Sequence, residues 1–179
     1  PEEWAQGRYC PTPTIIEAAQ ALYKGHNVKE ISRSDAGTIN LGATSNVISE
    51  IIDNSKKDHR KSICFITGVP GAGKTLAGLN IANERHNIDE GEHAVFLSGN
   101  GPLVEVLQEA LARNEVLEKR GTDLPFSKSM ALTKTKAFIQ NIHHFRDDAM
   151  QSTKPPIERV AVFDEAQRAW TLEQTSSFM

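Results

Sequence analysis

The chain has 179 residues and a mass of 19.7 kDa, which suits one domain with at most a small appendage. Its hydrophobic fraction of 39% is ordinary for a soluble globular protein, and no apolar run approaches the ~18 residues that a membrane-spanning helix needs, so we expect no membrane partner. The net charge of −3 excludes a strongly basic surface over the whole chain, and two cysteines without a secretory signal predict a reducing, cytoplasmic setting.

Residues 1–56 predict a short helical lead-in to a second unit. Thr14 and Glu17 have the spacing of a capping box, and Gly25 is suited to end the helix that this cap begins. The apolar positions after the cap fall on one helical face: Ile15, Ala18, Ala19 and Leu22. A second short helix is predicted near residues 44–52.

In residues 57–179, predicted strands alternate with predicted helices. Three apolar segments predict buried strands: 61–67, 93–99 and 157–166. Helical patterns lie between them at 74–86, 100–116 and 129–151. Cys64, inside the first strand, is expected to be a small core residue. The alternation predicts an α/β fold, with a parallel sheet flanked by helices.

The stretch GVPGAGKT at residues 68–75 fits the pattern G-x-x-x-x-G-K-[ST] at every fixed position. Its glycines permit backbone angles that point successive amides at one anion, and the following helix adds its N-terminus. Lys74 is predicted to reach the β- and γ-phosphates of ATP, and Thr75 to offer its hydroxyl to Mg²⁺. A glycine turn without a ligand is the weaker alternative, because a predicted strand and helix flank the motif. The residues predicted to contact ATP are Gly68, Val69, Pro70, Gly71, Ala72, Gly73, Lys74, Thr75 and Leu76.

Two adjacent carboxylates, Asp164 and Glu165, end the last predicted strand. A carboxylate at the end of a buried strand is costly unless a cation compensates it. Mg²⁺ bound to a nucleotide would be that cation, with Thr75 and Asp164 as its protein ligands and Asp164 acting through a water. Glu165 is then suited to activate an attacking water as general base. A surface carboxylate without a catalytic role is the alternative for Glu165.

A second charge feature lies between Arg113 and Arg146, where basic residues outnumber acidic ones. The basic residues are Arg113, Lys119, Arg120, Lys128, Lys134, Lys136 and Arg146. The pattern favours a solvated helix face over a phosphate-contacting surface.

The segments CFITGVPGAGKTLAGLNIA, FLSGNGPLVEVLQEAL and VFDEAQRAW resemble the Schlafen group 3-like DNA/RNA helicase domain family. The upstream segment YCPTPTIIEAAQALYKG is similar to the lead-in of that family, so the resemblance covers nearly the whole chain. It implies a RecA-like P-loop fold related to superfamily 1 helicases.

The resemblance also implies roles for particular residues. Residues 68–75 match the Walker A motif and residues 164–165 match the Walker B motif. Gln167 takes the last place of the helicase-like DEAQ and would sense the state of the nucleotide. Asn100 and Gly101 lie where related helicases touch a single strand, and are therefore candidate nucleic-acid contacts.

Together these features predict the ATP-binding and hydrolysing part of a helicase-like ATPase that acts with single-stranded DNA or RNA. The resemblance places later motifs and one sheet strand after Walker B, so we expect a truncated motor domain with weak or no activity of its own. The alternative class is a nucleotide-dependent signalling or defence-system interaction module that does not translocate. A P-loop kinase is disfavoured, because DEAQ provides a water-activating glutamate and no acceptor site.

Overall fold

The computed structural model of the protein describes residues 13–26, 35–88, 93–119 and 127–168. Within these ranges the chain forms six α-helices and three β-strands, followed by a 3-10 turn at Ala166–Arg168. The helices are α1 (Ile15–Tyr23), α2 (Asp35–Lys57), α3 (Lys74–Ile88), α4 (Gly101–Glu118), α5 (Lys128–Phe138) and α6 (Ile142–Gln151). The strands are β1 (His93–Ser98), β2 (Ile139–Asn141) and β3 (Glu158–Asp164). None of the described helices combines the length and the apolar character needed to cross a membrane.

The three strands form one parallel sheet in the order β2-β1-β3, which confirms the predicted α/β class. At the end of the central strand, Ser98 lies opposite Asn141 on one side and opposite Asp164 on the other. Because the strands are parallel, all three carboxyl ends meet at one edge of the sheet. This edge is where ligands bind in open α/β sheets.

Strand β1 is buried from Ala94 to Ser98, as expected for a parallel strand that is covered on both faces. Phe96 belongs to the main core, which α1, α3 and α4 also line. Val95 and Leu97 point to the opposite face and pack against Ile142 of α6. The central strand therefore ties helices on both faces to one sheet.

Helix α1 begins and ends where the sequence predicts. The Thr14 hydroxyl accepts from the Glu17 amide at 3.2 Å, and the Glu17 carboxylate accepts from the Thr14 amide at 2.8 Å, which completes the capping box. Gly25 follows the last turn with a φ of +87°, in the left-handed region that glycine adopts at helix ends. The buried face of the helix consists of Ala18, Ala19 and Leu22.

Helix α2 is longer than predicted and is fixed to α3 by polar contacts. The buried Arg85 guanidinium donates to both carboxylate oxygens of Asp53, at 2.5 and 3.2 Å, and to the Ser49 carbonyl at 2.9 Å. Asn80 donates to the Ser45 hydroxyl at 3.1 Å. The Arg85 hydrogen bonds lower the pKa of the Asp53 carboxyl.

The single helix predicted for residues 129–151 is wrong at its centre. The chain leaves the helical path at Ile139–Asn141 to form β2, and resumes it as α6. Ile139 is fully buried and pairs opposite Phe96, so sheet pairing and burial outweigh local helix preference. Asn141 then caps α6, since its side-chain oxygen accepts from the His143 amide at 2.8 Å.

The strand predicted for residues 61–67 is also wrong, because this segment forms no regular secondary structure. Ile63 and Phe65 are 83% and 87% exposed, and Cys64, predicted to lie in the core, is exposed too. A strand needs a partner for its backbone groups. Strand β1 already has one on each side, and the outer edge of β3 pairs with no described residue. The apolar composition of residues 61–67 is therefore not sufficient to bury them.

Helix α3 packs tightly against the sheet at Gly78. A β-carbon at Gly78 would lie 2.9 Å from Val162 Cγ1 and 3.4 Å from Phe96 Cε2. We expect Gly78→Ala to lower the free energy of unfolding by about 1–3 kcal/mol, because the added methyl group pushes α3 off the sheet. Chemical denaturation followed by circular dichroism measures the change.

The matched control is Gly42→Ala in α2, where a β-carbon would meet no heavy atom within 4 Å. This variant should raise the free energy of unfolding by about 0.5–1 kcal/mol, since alanine restricts the unfolded chain and favours a helix. Equal stabilisation by both variants would contradict the close approach of α3.

Candidate functional site

The glycine-rich segment at residues 68–75 leads directly into α3. Gly71 and Gly73 have φ angles of +79° and +83°, in the region that favours glycine. The Ala77 amide donates to the Gly73 carbonyl at 2.9 Å, so the helical hydrogen bonds begin at the end of the loop. Two of the three glycines in this segment are therefore required by backbone conformation.

Lys74, the first residue of α3, turns back onto this loop. Its ammonium donates to the carbonyls of Gly68 and Val69 at 2.8 and 3.0 Å. The loop is otherwise open to solvent, with Val69 72% exposed and Pro70, Gly71 and Ala72 also exposed. The Lys74 ammonium is thus held at the opening of the loop by two backbone carbonyls, which are neutral acceptors.

Helix α2 contacts the glycine-rich loop through Leu41. The sequence did not suggest this contact. A β-carbon at Gly73 would lie 3.4 Å from Leu41 Cδ1, and Leu41 is buried. Leu76, which follows in the first turn of α3, packs against the main core. The loop therefore rests on apolar side chains on its inner side.

The Thr75 hydroxyl donates to Asp164 Oδ1 at 2.9 Å, although the two residues are 89 positions apart in the chain. Asp164 Oδ2 is buried and has no hydrogen-bond partner among the described residues. Burial raises the pKa of the Asp164 carboxyl above 3.8, the donation from Thr75 opposes this rise, and the Glu165 charge adds to it. A carboxylate that has one unpartnered oxygen and lies beside a hydroxyl is suited to bind a hard cation such as Mg²⁺.

Glu165 has a φ of +52°, an unusual left-handed conformation for a residue with a side chain. Its exposed carboxylate accepts a hydrogen bond from the Gln167 side-chain amide. Its backbone carbonyl accepts from the Arg168 amide at 2.8 Å, which closes the 3-10 turn. The left-handed backbone of Glu165 thus directs this carboxylate toward Gln167.

Asn100 and Gly101, predicted to contact nucleic acid, lie at the same edge of the sheet. Asn100 caps α4, with its side-chain oxygen accepting from the Leu103 amide at 3.4 Å. A β-carbon at Gly101 would lie 3.7 Å from Asn141 Nδ2 at the end of β2. The predicted contact with a single strand stays a prediction. Asn141 was not predicted as a helix cap, because the sequence pattern predicts one continuous helix over residues 129–151. An asparagine just before an apolar residue is nevertheless a helix-start signal.

The basic residues between Arg113 and Arg146 are largely occupied by carboxylates. Four of them pair with Glu109 or with the buried Glu115 on α4: Arg113, Lys119, Lys128 and Lys134. Arg120 lies outside the described residues. The pairs of Lys128 and Lys134 join α5 to α4, whereas the other two lie within α4 and its C-cap. With these partners, the face is better suited to a structural role than to phosphate contact.

The unpartnered oxygen of Asp164 has a consequence for stability. Because its folded-state pKa is raised, the folded protein binds the proton more tightly than the unfolded chain does. Stability should therefore fall as the pH rises from about 3.8 through the raised pKa. In buffer with a chelator and no nucleotide, we expect Asp164→Asn to raise the free energy of unfolding at pH 7 by about 0.5–1 kcal/mol. The half-exposed position limits this gain. Thermal denaturation across pH measures it.

Asp53→Asn is the control with the opposite sign. The pKa of Asp53 is lowered by Arg85, so its contribution is present at neutral pH and is lost as the pH falls through that lowered pKa. At pH 7 this variant should be less stable than the wild type. Destabilisation by Asp164→Asn under the same conditions would show that the orphaned oxygen carries no cost.

Residues 61–178, more than half of the chain, match the family model described as Schlafen group 3, DNA/RNA helicase domain. A search of curated proteins and a search of solved structures each give no match. The matched range includes the glycine-rich loop, the Thr75–Asp164 contact and the turn after β3. The chain therefore belongs to the Schlafen group 3 DNA/RNA helicase domain family.

Proposed function

We propose that the protein is the ATP-binding and hydrolysing core of a helicase-like ATPase that acts with single-stranded DNA or RNA. The observation that carries the proposal is the 2.9 Å contact between Thr75, directly after the glycine-rich loop, and Asp164, at the end of β3. A hydroxyl and a carboxylate from distant segments meet there beside a helix N-terminus, which is the arrangement that a nucleotide with its metal requires. Membership of the family supports the nucleic-acid part of the proposal.

In this proposal residues 68–76 bind the phosphates of ATP. The positive φ angles of Gly71 and Gly73 and the free amides at the start of α3 suit an anion. The Lys74 ammonium would leave the carbonyls of Gly68 and Val69 and donate to phosphate oxygens. A cation already held at the opening of the loop has only a short distance to move.

Thr75 and Asp164 would hold Mg²⁺, with Asp164 acting through a water. When bound, this ion would neutralise part of the charge on the phosphate oxygens. The buried, unpartnered Asp164 Oδ2 supports this assignment, because a bound cation would offset the cost of its charge. The raised pKa of Asp164 supports it for the same reason.

Glu165 would act as the general base that takes a proton from the attacking water. The hydrogen bond from Gln167 supports this role, because it holds the Glu165 carboxylate in one orientation at the end of β3. Gln167 would move with that carboxylate when the nucleotide changes, and this is how we propose that it senses the state of the site.

We further propose that the complete core is RecA-like and holds another strand between residues 61–67 and the outer edge of β3. The exposure of Ile63 and Phe65 supports this, because a further strand would join residues 61–67 to the sheet, whose faces the helices cover. The unpaired outer edge of β3 supports it as well. We therefore expect residues 1–179 alone to bind ATP, to hydrolyse it weakly or not at all, and to self-associate through the open edge.

The phosphate loop is tested by Lys74→Ala. Loss of a charge-assisted hydrogen bond to phosphate costs about 1.5–3 kcal/mol, so the affinity for Mg²⁺·ATP should fall by about 10- to 100-fold. Isothermal titration calorimetry on the chain measures this change. The matched control is Lys154→Ala, an exposed lysine before the amino end of β3, which should bind as the wild type does. If Lys74→Ala and the wild type bound Mg²⁺·ATP with equal affinity, the assignment of Lys74 to phosphate binding would be wrong.

The two carboxylates are distinguished by their different tasks in a protein that contains the whole of the proposed core. Glu165→Gln should keep ATP binding and slow hydrolysis by about 10²-fold or more, the usual scale for losing a general base. Asp164→Asn should instead shift hydrolysis to higher Mg²⁺ concentrations. Phosphate release with and without a single strand measures both, and stimulation by the strand distinguishes a helicase-type motor from a signalling module. Identical losses of binding and turnover in both variants would show that the assigned roles are wrong.

A further inference from the structure

Gly99 and Arg168 touch where β1 and β3 end. Gly99 follows β1, and Arg168 closes the 3-10 turn after β3. A β-carbon at Gly99 would lie 2.6 Å from Arg168 Cβ and 3.5 Å from its Cδ. The first distance is far below van der Waals contact, so any residue larger than glycine at position 99 forces the two turns apart.

On one side of this contact lies the nucleotide site. Asp164, which accepts from Thr75, is followed by Glu165 in its left-handed conformation. The Arg168 amide donates to the Glu165 carbonyl at 2.8 Å, so the 3-10 turn is one short, internally bonded unit. A backbone shift at Glu165 therefore moves Arg168 with it.

On the other side lies the turn that leads from β1 into α4. The Asn100 amide donates to the hydroxyl of Ser98, which is fully buried, at 3.2 Å. The Asn100 carbonyl accepts from the Val104 amide at 3.1 Å, which makes it the first acceptor of α4. A displacement of Gly99 is therefore passed to the cap and the first turn of α4.

We propose that the packing contact between Gly99 and Arg168 transmits occupancy of the nucleotide site to the β1–α4 turn. Arg168 acts as a positioning residue, through its β-carbon and methylene carbons. The turn that it moves carries Asn100 and Gly101, the predicted single-strand contacts. The inference rests on the proposed function, since it requires a nucleotide at Thr75 and Asp164. It assigns Arg168 a task that needs its hydrocarbon stem and does not need a guanidinium–phosphate contact.

Hydrogen–deuterium exchange on the full chain tests the transmission. On addition of Mg²⁺ and a non-hydrolysable ATP analogue, exchange should slow at residues 68–75 and change at residues 99–104. In Gly99→Ala the change at 99–104 should be lost while the protection at 68–75 remains. The control Gly42→Ala should behave as the wild type in both segments.

Two substitutions of Arg168 separate its stem from its charge. Arg168→Lys keeps the β-, γ- and δ-carbons and should preserve the response at residues 99–104. Arg168→Gly removes the whole stem and should lose the response, with protection at 68–75 retained. These variants keep the test valid if Gly99→Ala does not fold.

The geometry also predicts that a second substitution will suppress the loss of stability in Gly99→Ala. This test does not require nucleotide. Gly99→Ala should lower the urea midpoint of unfolding, and adding Arg168→Gly should recover part of that loss, because it removes the β-carbon at 2.6 Å. Adding Arg168→Ala should recover none, because alanine keeps that β-carbon. Recovery by both substitutions, or by neither, would overturn the proposed contact.

Two outcomes distinguish this inference from the function on which it rests. If the analogue protects residues 68–75 in the wild type and leaves 99–104 unchanged, the transmission is refuted and the nucleotide site stands. The transmission is refuted in the same way if Arg168→Lys loses the response as Arg168→Gly does. If the analogue protects neither segment, the proposed nucleotide site fails and the inference fails with it.

Discussion

The parallel pairing of the three strands determines which turns and side chains meet at the carboxyl edge of the sheet. Strand β1 pairs on both sides, and its last residue, Ser98, stands between Asn141 and Asp164. Had either neighbour been antiparallel, its turn would have been carried to the opposite edge. With the register as it is, the caps of α4 and α6, the two carboxylates after β3 and the start of α3 all share one edge. Backbone pairing therefore brings the candidate site residues together at this edge.

The same edge carries the unfavourable local features that the fold tolerates. Glu165 is held in a left-handed conformation, and Asp164 keeps a buried oxygen without a partner among the described residues. Such features persist only when the surrounding structure over-determines them. Here the support comes from β1, which is buried from Ala94 to Ser98 and pairs with β3 up to Asp164. Helix α2 also takes part in supporting the candidate site, because Leu41 lies against Gly73 and the Arg85–Asp53 pair joins α2 to α3.

Sequence reasoning succeeded where one short segment contains all the needed information. The cap of α1 depends on Thr14 and Glu17 alone, and the glycines of the glycine-rich loop depend on their own φ angles. The Thr75–Asp164 pair was also anticipated, since the two residues fall in motifs that together predict one Mg²⁺ site.

Sequence reasoning failed where the outcome depends on a distant partner. Ile139 became a strand because Phe96 lies opposite it, and no feature within residues 129–151 indicates this. Residues 61–67 have a strand-like composition, but they pair with no described strand, although the outer edge of β3 is open. The contact of Arg168 with Gly99 joins two turns that are far apart in the chain, so only the folded structure brings it into view.

The hydrogen bonds of Lys74 have a consequence for how the proposed phosphate binding would depend on salt. Because its ammonium already bonds to two loop carbonyls, an arriving phosphate would not meet a bare charge. Binding would be a replacement, in which two neutral acceptors are released to water as charged acceptors take their place, so the number of hydrogen bonds would change little. The gain would come from charge, and it would weaken as salt screens the exposed loop. An exposed side chain changes rotamer within picoseconds to nanoseconds, so release of the ammonium from the carbonyls would not limit the association rate.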